Sequence, residues 1–393
     1  MKQGAGFKPV LVSKYVPDKI TGETSTLREI HAEYYGTAAD MADHMGLREL
    51  GNLFMVGFDG QDFTGEIRDL LDDLNPCGVI LFSRNIEGTA QVARLNHRIQ
   101  KHAHERLSQG LLIGVDQEGG RVCRLTEPFS QFPPALDMAR SHDPEGAVRK
   151  CAHTTARELK LLGFNVNFVP VLDVLSSEDT PERSVIGDRS FGADPDLVAR
   201  LGRTVIEATR ASGVIPCAKH FPGHGGTTVD SHVELPVDTR PADTIMQRDV
   251  KPFRAATHLH VEMVMTAHVL YTELDSAWPA TMSRPLIGNL LRRDMQHRGV
   301  VITDDLDMGA VSARYKVEES AVRALSAGVD ILLVCRTVEK AFAGRSAVFE
   351  ALRAGELSAS RVEEALCRIR GLKSRYRSSL DPCREEDASS YFV

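Results

Sequence analysis

From Leu53 onward, short runs of apolar residues alternate with longer segments in which apolar residues recur every three or four positions. Such alternation is typical of repeated strand and helix units. The apolar runs are continuous, as expected for parallel strands that are buried on both faces. Eight of them are predicted as strands: Leu53–Phe58, Gly78–Phe82, Leu111–Val115, Val166–Val171, Val214–Ala218, Glu262–Ala267, Val300–Thr303 and Asp330–Val334.

The segments that separate these strands predict helices. They are Ala90–His104, Ala147–Leu162, Pro195–Ala211, Thr244–His258, Arg284–His297 and Val317–Ala327, with Glu339–Arg353 after the last strand. Eight βα units over about 300 residues favour a (β/α)8 barrel, an α/β fold in which helices surround a closed parallel sheet. A doubly wound open sheet is the alternative.

The chain divides into three parts around this barrel. Residues 1–46 are polar and irregular, with a possible short helix at Arg28–Tyr34, and form a predicted N-terminal extension. The catalytic barrel is predicted over residues 47–376, with a further helix after Ser358. Residues 377–393 form a charged tail that is expected to fray.

Composition excludes several classes of protein. The chain has 393 residues, of which 42% are hydrophobic and 26% charged, as in an ordinary globular protein with a sizeable core. A net charge of −7 without a basic block argues against nucleic-acid or membrane partners. The sequence has no apolar leader or membrane-spanning run, and its seven cysteines form no CxxC pair, which indicates reduced thiols. These features predict a cytoplasmic enzyme.

Polar residues cluster where the predicted strands end. Barrel enzymes carry their catalytic groups at the C-terminal ends of the strands, so these residues are expected to share one face of the molecule. The densest group lies in a loop rich in glycine, which permits close backbone approach. Together the strand ends hold carboxylates (Asp116, Asp173, Asp230, Asp304, Asp305), imidazoles (His220, His224, His232, His268) and cations (Arg124, Arg189, Lys219).

Two chemistries fit such a set of groups. One is glycoside hydrolysis, in which one carboxylate attacks the anomeric carbon and a second group protonates the leaving oxygen. The other is hydrolysis assisted by a divalent metal ion. The pairs His102/His104 and His258/His260 have ligand spacing but precede strands, and no HExxH motif is present. We therefore expect neither a metal nor another cofactor.

Four motifs carry a more specific signal. In chain order they are Asp116-Gln117-Glu118-Gly119-Gly120-Arg121-Val122, Ile186-Gly187-Asp188-Arg189-Ser190-Phe191, Lys219-His220-Phe221-Pro222-Gly223-His224-Gly225 with Asp230-Ser231-His232, and Thr303-Asp304-Asp305-Leu306-Asp307-Met308. In this order they resemble the family 3 glycoside hydrolases, and within them most of all the β-N-acetylhexosaminidases that recycle cell-wall fragments. The similarity extends from Leu53 to Arg370.

The resemblance implies a role for each matching residue. Asp304 corresponds to the nucleophile of a retaining enzyme that forms a covalent glycosyl intermediate. Asp230 and His232 correspond to a dyad on a loop, in which the imidazole acts as acid and then as base. Asp116, Arg124, Arg189, Lys219 and His220 correspond to residues that bind N-acetylglucosamine. The expected partner is thus a small carbohydrate that contains N-acetylglucosamine, such as a fragment of peptidoglycan.

Ordinary acid–base chemistry agrees with these roles. An aspartate has an unperturbed pKa of about 3.9, so Asp304 beside cations stays ionised and nucleophilic at neutral pH. An imidazole titrates near 6.5 and can transfer a proton in both directions, which suits His232. Larger family members carry an extra α/β domain that can supply the acid. Because this sequence ends soon after the eighth unit, we expect the acid to come from a barrel loop.

Other roles and functions stay open at this stage. Structural roles are expected for Asp305 and Asp307 as helix caps or ion-pair partners, for Asp173 as a support, and for Arg121 in an ion pair. His224 and His268 suit either a structural or a functional role. The main alternative function is a phosphorylase on the same scaffold, because a histidine acid leaves room for phosphate. A sugar-binding protein without activity is less favoured, since Asp304, Asp230 and His232 are all present.

Overall fold

The protein folds as a parallel eight-stranded barrel. The structure is a computed structural model and describes residues 38–176, 184–227, 234–383 and 391–392. In chain order its strands are β1 Phe54–Val56, β2 Gly78–Ile80, β3 Leu112–Val115, β4 Val166–Asn167, β5 Ile215–Phe221, β6 Val237–Asp238, β7 Met263–Thr266, β8 Leu270–Tyr271, β9 Val300–Thr303 and β10 Leu332–Val334. Eight of these form the sheet β10-β1-β2-β3-β4-β5-β7-β9, and β6 pairs with β8 beside it.

The two ends of the sheet meet, which makes it a barrel. A parallel bridge joins Ile302 to Ile331, and the Thr303 N–H donates to the Ile331 carbonyl at 3.0 Å. The Asp330 N–H donates to the Val301 carbonyl at 2.8 Å on the same seam. The predicted (β/α)8 barrel is therefore confirmed, and the open doubly wound sheet is wrong.

Helices surround the sheet and connect its strands. The α-helices are Ala38–Leu50, Gly65–Leu74, Thr89–His102, Ala135–Ala139, Pro144–Leu161, Pro195–Ala211, Ala242–Gln247, Val250–His258, Gly309–Ser312, Val317–Ala327, Val338–Arg353 and Ala359–Arg375. Ala103–Leu107 and Pro285–Asp294 are π-helical, and short 3-10 turns occur at Gly51–Leu53, Ser83–Asn85, Gly187–Arg189, Ala280–Met282 and Arg377–Ser379. The predicted helix Thr244–His258 is in fact two helices. None of the described helices has the length and apolar character needed to cross a membrane.

Local sequence explains where several helices begin. Pro144 and Pro195 each occupy the first turn of a helix, where a missing N–H costs no hydrogen bond. The residue before each is an aspartate whose side chain accepts a backbone N–H of that turn, from Gly146 in one helix and from Asp196 in the other. These two helices then direct the chain into β4 and β5.

Two predicted strands differ from those in the structure in a way that shapes the site. The prediction extends β4 to Val171, but the regular strand ends at Asn167. Pro170 lacks the N–H needed to continue the ladder, and only an isolated parallel bridge between Val171 and Lys219 lies beyond it. The prediction ended β5 at Ala218, whereas the strand continues to Phe221 and so includes Lys219 and His220.

The N-terminal extension is not irregular throughout. The unpredicted helix Ala38–Leu50 crosses the expected boundary after Gly46, where the backbone breaks with a φ of 67°. This helix packs against Val338–Arg353 on the outside of the barrel. The expectation of irregular structure is therefore wrong for residues 38–46. The possible helix Arg28–Tyr34 lies outside the described residues.

The expected fraying of the tail is also wrong as far as Cys383. Leu380 is only 4% exposed, and its carbonyl lies 2.9 Å from Nε2 of His104. The carbonyl of Cys383 lies 2.7 Å from Nδ1 of His97. An apolar side chain and two polar contacts thus hold this segment against the barrel, although its sequence is charged.

Candidate active site

A cavity of about 450 Å3 opens at the C-terminal ends of the barrel strands. It brings together residues that follow six of the eight predicted strands. Its polar lining includes Asp116, Arg121, Arg124, Arg189, Lys219, His220, Asp304, Asp305 and Arg336. A larger groove of about 810 Å3, around Trp278 and Arg323, contains none of the strand-end groups, so the smaller cavity is the candidate site.

The loop after β3 is shaped by backbone contacts. The Asn167 side chain accepts the Gln117 N–H at 3.1 Å and donates to the Gln117 carbonyl at 3.0 Å. Gly119 and Gly120 have φ values of 102° and 56°, which glycine adopts readily, and they reverse the chain. The Gln117 side chain then accepts the N–H of Arg124 at 2.8 Å. These contacts fix the residues on both sides of the turn.

Lys219 is the central cation of the site and is only 2% exposed. Its Nζ atom donates to Oδ1 of Asp116 at 2.7 Å and lies 2.6 Å from Oε1 of Glu118. Burial alone would lower the pKa of Lys219, but the two carboxylates outweigh burial and raise it. Arg124 lies 3.8 Å from the other oxygen of Asp116. Lys219 and Asp116 therefore present a fixed charged donor and acceptor.

Glu118 joins Arg189 to Lys219. Nε and Nη2 of Arg189 donate to its two oxygens, each at 2.8 Å. Burial opposes ionisation of Glu118, but Arg189 and Lys219 outweigh it and hold its pKa well below the usual range. Glu118 is not among the site residues predicted from the sequence. Its position two residues after Asp116, at a strand end, is the sequence feature that could have identified it.

His220 and Asp173 form a buried dyad. Nδ1 of His220 lies 2.7 Å from Oδ2 of Asp173, and the backbone N–H groups of His220 and His224 donate to Oδ1 at 3.2 and 2.6 Å. Burial alone would raise the pKa of Asp173, but the His220 imidazole, followed by the side chain and the backbone N–H of His224, lowers it below its ordinary value. Asp173 thus orients His220, which agrees with its expected supporting role.

Asp304 follows β9 and lines the same cavity as Lys219 and His220. Its Oδ1 accepts the N–H of Asp305 at 2.8 Å. Burial alone would raise the pKa of Asp304, but the neighbouring His220 and His268, this N–H and Lys219 together lower it. Asp304 is therefore ionised at neutral pH.

The other two imidazoles are buried and held by hydroxyl groups. Nδ1 of His268 lies 2.7 Å from Oγ1 of Thr281, and its Nε2 lies 3.0 Å from the Asp305 carbonyl. Nδ1 of His224 lies 2.5 Å from Oγ1 of Thr227. Burial lowers the pKa of both His224 and His268, so both are neutral at pH 7. Their hydrogen bonds favour structural roles.

Three nearby charged residues have structural partners. Asp307 accepts the N–H groups of Arg336 and Thr337 at 3.0 and 2.9 Å, just before the helix Val338–Arg353. Asp305 accepts backbone N–H groups, and burial followed by the charge of Asp307 raises its pKa to about 6. Arg121 lies 2.8 Å from Asp188, so its expected ion pair is confirmed.

The predicted dyad Asp230 and His232 lies outside the described residues. The structure describes the chain on either side of it, through Thr227 and again from Glu234. Within the described ranges, no three or more His, Cys, Asp or Glu side chains are arranged to hold a metal ion. His102 and His104, considered above as possible ligands, contact Asp72 and the Leu380 carbonyl instead.

The chain is similar to known glycoside hydrolases. Residues 47–372 match the Glycosyl hydrolase family 3 N terminal domain. The chain is 35% identical over 336 residues to Beta-hexosaminidase A of Pseudoalteromonas piscicida, which covers 80% of this chain and 56% of that protein. A family 3 beta-N-acetylglucosaminidase from Paenibacillus superposes with a TM-score of 0.80 at 38% identity, covering 84% and 62% of the two chains. NagZ from Neisseria gonorrhoeae, in complex with N-trifluoroacetyl-D-glucosamine, superposes with a TM-score of 0.65 at 29% identity. The match covers 87% of this chain and 98% of the NagZ chain.

Proposed function

Because the chain belongs to glycosyl hydrolase family 3, we propose that it is a retaining β-N-acetylhexosaminidase that removes terminal N-acetyl-β-D-glucosamine through a covalent glycosyl-Asp304 intermediate. The chain spans little more than half of Beta-hexosaminidase A and about three fifths of the Paenibacillus structure. The proposal therefore rests mainly on the cavity of this chain and on the family to which the chain belongs.

The observation that carries the proposal is the state of Asp304. The carboxylates that share the cavity are engaged elsewhere: Asp116 with Lys219, and Asp305 with backbone N–H groups. Asp304 makes no salt bridge with a described residue, yet its pKa is lowered. An ionised carboxylate without a salt bridge, at the end of a barrel strand, is the group that a retaining glycosidase needs as nucleophile.

The reaction then takes two steps. An oxygen of Asp304 forms a bond to the anomeric carbon as the bond to the aglycone oxygen breaks, and that oxygen takes a proton from His232. In the second step His232 removes a proton from water, the water oxygen bonds to the same carbon, and Asp304 leaves with its electron pair. Asp230 orients the imidazole and stabilises its cation. Two inversions retain the β configuration.

The sugar is held by the charged groups beside Asp304. Asp116 accepts hydrogen bonds from sugar hydroxyls, while Lys219, Arg124 and His220 donate to them. Arg189 acts mainly through Glu118, because that carboxylate occupies two of its donor groups. The complex of N-trifluoroacetyl-D-glucosamine with the similar Neisseria gonorrhoeae protein supports an N-acylated glucosamine as the sugar.

The natural substrate is proposed to be a peptidoglycan fragment in the cytoplasm. The resemblance to cell-wall-recycling enzymes supports this choice. In addition, Arg336 lines the cavity, and a cation there suits an aglycone that carries a carboxylate.

The test is hydrolysis of 4-nitrophenyl N-acetyl-β-D-glucosaminide beside the matching glucoside, with and without phosphate. The proposal expects selective release of N-acetylglucosamine, no stimulation by phosphate, and a loss of several orders of magnitude in Asp304→Ala. The glycosyl-enzyme should add the mass of one N-acetylglucosaminyl group to the intact protein. Acceleration by phosphate with formation of the sugar 1-phosphate would instead identify a phosphorylase.

A further inference from the structure

Arg240 lies against the backbone of Gly226 and pairs with the side chain of Asp238, and these two residues lie on opposite sides of the short stretch that carries Asp230 and His232. We propose that Arg240 is a positioning residue for this acid/base dyad, acting through the two ends of the loop. The inference rests on the proposed function, because it assumes that His232 protonates the leaving group. It concerns a residue that none of the four motifs contains.

Arg240 forms a buried ion-pair cluster with Asp238 and Asp249. Its Nε lies 3.0 Å from both oxygens of Asp238, its Nη2 lies 2.6 Å from Oδ2 of Asp238, and Nη2 lies 3.0 Å from Oδ1 of Asp249. Asp238 is 4% exposed and Asp249 is fully buried. Such a planar fork holds its partners in one geometry, which a lysine ammonium cannot reproduce.

The same cluster fits against the outgoing end of the loop. A Cβ atom at Gly226 would overlap the guanidinium of Arg240, so the backbone lies directly against that group. A Cβ at Gly223 would lie 2.6 Å from Cβ of Asp249. The hydroxyl of Tyr271 also donates to the Gly223 carbonyl at 2.6 Å. The outgoing end is thus packed against Arg240 and Asp249.

The returning end is held by a two-stranded parallel sheet. Strand β6, which contains Asp238, pairs with β8. The N–H of Leu270 donates to the Pro236 carbonyl at 3.0 Å, and the N–H of Thr272 donates to the Asp238 carbonyl at 3.1 Å. Arg240 reinforces this end, because its own N–H donates to Oδ1 of Asp238 at 3.0 Å.

The consequence for catalysis follows from the shortness of the loop. Only residues 228–233 separate the two anchored ends, so the positions of these ends limit the positions that His232 can reach. A displacement of about 1 Å at a reacting group can cost about a hundredfold in rate. The cost falls on proton donation to the leaving oxygen, which matters most when the aglycone is a poor leaving group.

The experiment compares leaving groups in Arg240→Met and Arg240→Lys. For each variant, kcat/KM, which reports the step in which the aglycone leaves, is measured with 2,4-dinitrophenyl and with phenyl N-acetyl-β-D-glucosaminide. We expect Arg240→Met to lose roughly 10- to 100-fold on the phenyl glycoside and less than about threefold on the dinitrophenyl glycoside, with Arg240→Lys between it and wild type. If Arg240→Met does not fold, the inference is tested by whether Arg240→Lys loses more activity on the phenyl glycoside than on the dinitrophenyl glycoside. Equal losses on both substrates, or none, in the folded variants overturn the inference.

A matched control is Arg210→Met, which removes a partly buried ion pair with Glu262. It should lower thermal stability without any dependence on the leaving group. His232→Ala, measured in parallel, separates this inference from the proposed function. If His232→Ala shows the leaving-group dependence and both Arg240 variants lack it, only the role of Arg240 fails. If wild type cleaves neither substrate, the proposed function fails.

Discussion

Nδ1 of His220 lies 2.7 Å from Oδ2 of Asp173, a carboxylate with no exposed surface. The other oxygen of Asp173 accepts two backbone N–H groups, so the carboxylate cannot turn away from the ring. The contact favours the tautomer with a proton on Nδ1 and leaves Nε2 for a ligand in the cavity. The orientation of a strand-borne imidazole thus depends on one buried side chain.

Asp173→Asn should therefore weaken sugar binding, although Asp173 is not expected to touch the sugar. We expect kcat/KM for 4-nitrophenyl N-acetyl-β-D-glucosaminide to fall roughly 10- to 100-fold, as when a metal-bound histidine loses the partner that orients it. Steady-state kinetics at constant pH measure it. The control Asp188→Asn, which breaks the more exposed pair with Arg121, should change kcat/KM by less than about threefold. Equal losses in both variants would contradict the role given to Asp173.

Glu118→Gln should reduce both stability and affinity for the sugar. The change removes the charge shared by Lys219 and Arg189 and leaves two buried cations with one fewer carboxylate. Breaking a buried ion pair by removing one partner costs about 3 to 5 kcal/mol, and the retained amide oxygen should keep the loss near the lower end. Urea unfolding gives the stability change, and the inhibition constant of N-acetylglucosamine gives the affinity.

The matched control for Glu118 is Glu207→Gln. Glu207 pairs with Arg203 one helical turn away, at 2.8 Å on the surface. Its loss should cost no more than about 0.5 kcal/mol and leave sugar affinity unchanged. A similarly small change in Glu118→Gln would mean that Lys219 and Arg189 are held by other contacts.

The barrel could be predicted because continuous apolar runs specify buried parallel strands. The prediction failed at β4 and β5, where local sequence is misleading. β4 ends before Pro170 although the apolar run continues. β5 continues through Lys219 and His220 because Asp116 and Asp173 compensate these polar groups in three dimensions, and a strand pattern carries no information on such partners.

Most of the charged residues that line the cavity could be predicted from their positions at strand ends, but Arg84 and Arg336 were missed, and the pairing of the charged groups could not be predicted. Each carboxylate at a strand end had several cations within reach of the same rim. Arg189 pairs with Glu118, which lies 71 residues away in the sequence, and His220 pairs with Asp173, which lies 47 residues away. Which groups pair depends on the positions of the strands in the barrel and on where a loop reverses the chain direction, here at Gly119 and Gly120.

The two histidines His220 and His232 should respond differently to the leaving group. Because His220 is held by Asp173 on a barrel strand, His220→Ala should raise KM for dinitrophenyl and phenyl N-acetyl-β-D-glucosaminides by similar factors. His232→Ala should lower kcat/KM, which reports the step in which the aglycone leaves, by roughly 10²- to 10⁴-fold on the phenyl glycoside and far less on the dinitrophenyl glycoside. If His220→Ala showed the leaving-group dependence and His232→Ala did not, Asp173 and His220 would be the acid/base dyad.

Gly225→Ala should destabilise the protein and impair catalysis together. A Cβ at this position would overlap the carbonyl of Val174, so the backbone leading to the dyad must move. Overpacking of this kind costs about 1 to 3 kcal/mol. Thermal unfolding and kcat measure the two effects. Gly371→Ala is the control, because a Cβ there meets nothing within 4 Å inside the helix Ala359–Arg375, and it should stabilise by up to about 1 kcal/mol.

His297 should make the protein less stable as the pH falls from 6.5 towards 3. Burial, followed by the charge of Arg292, lowers the pKa of His297 from 6.5 to about 3. In this window the unfolded chain carries a proton on the imidazole and the folded chain does not, so unfolding takes up one proton. The free energy of unfolding should therefore decrease by about 1.4 kcal/mol per pH unit because of this group. In His297→Gln the slope should be smaller by that amount, measured by urea unfolding between pH 6 and 5. The control is His258→Gln at an exposed histidine, which should leave the slope as in wild type. If the slope is also unchanged in His297→Gln, His297 is not neutral in the folded protein.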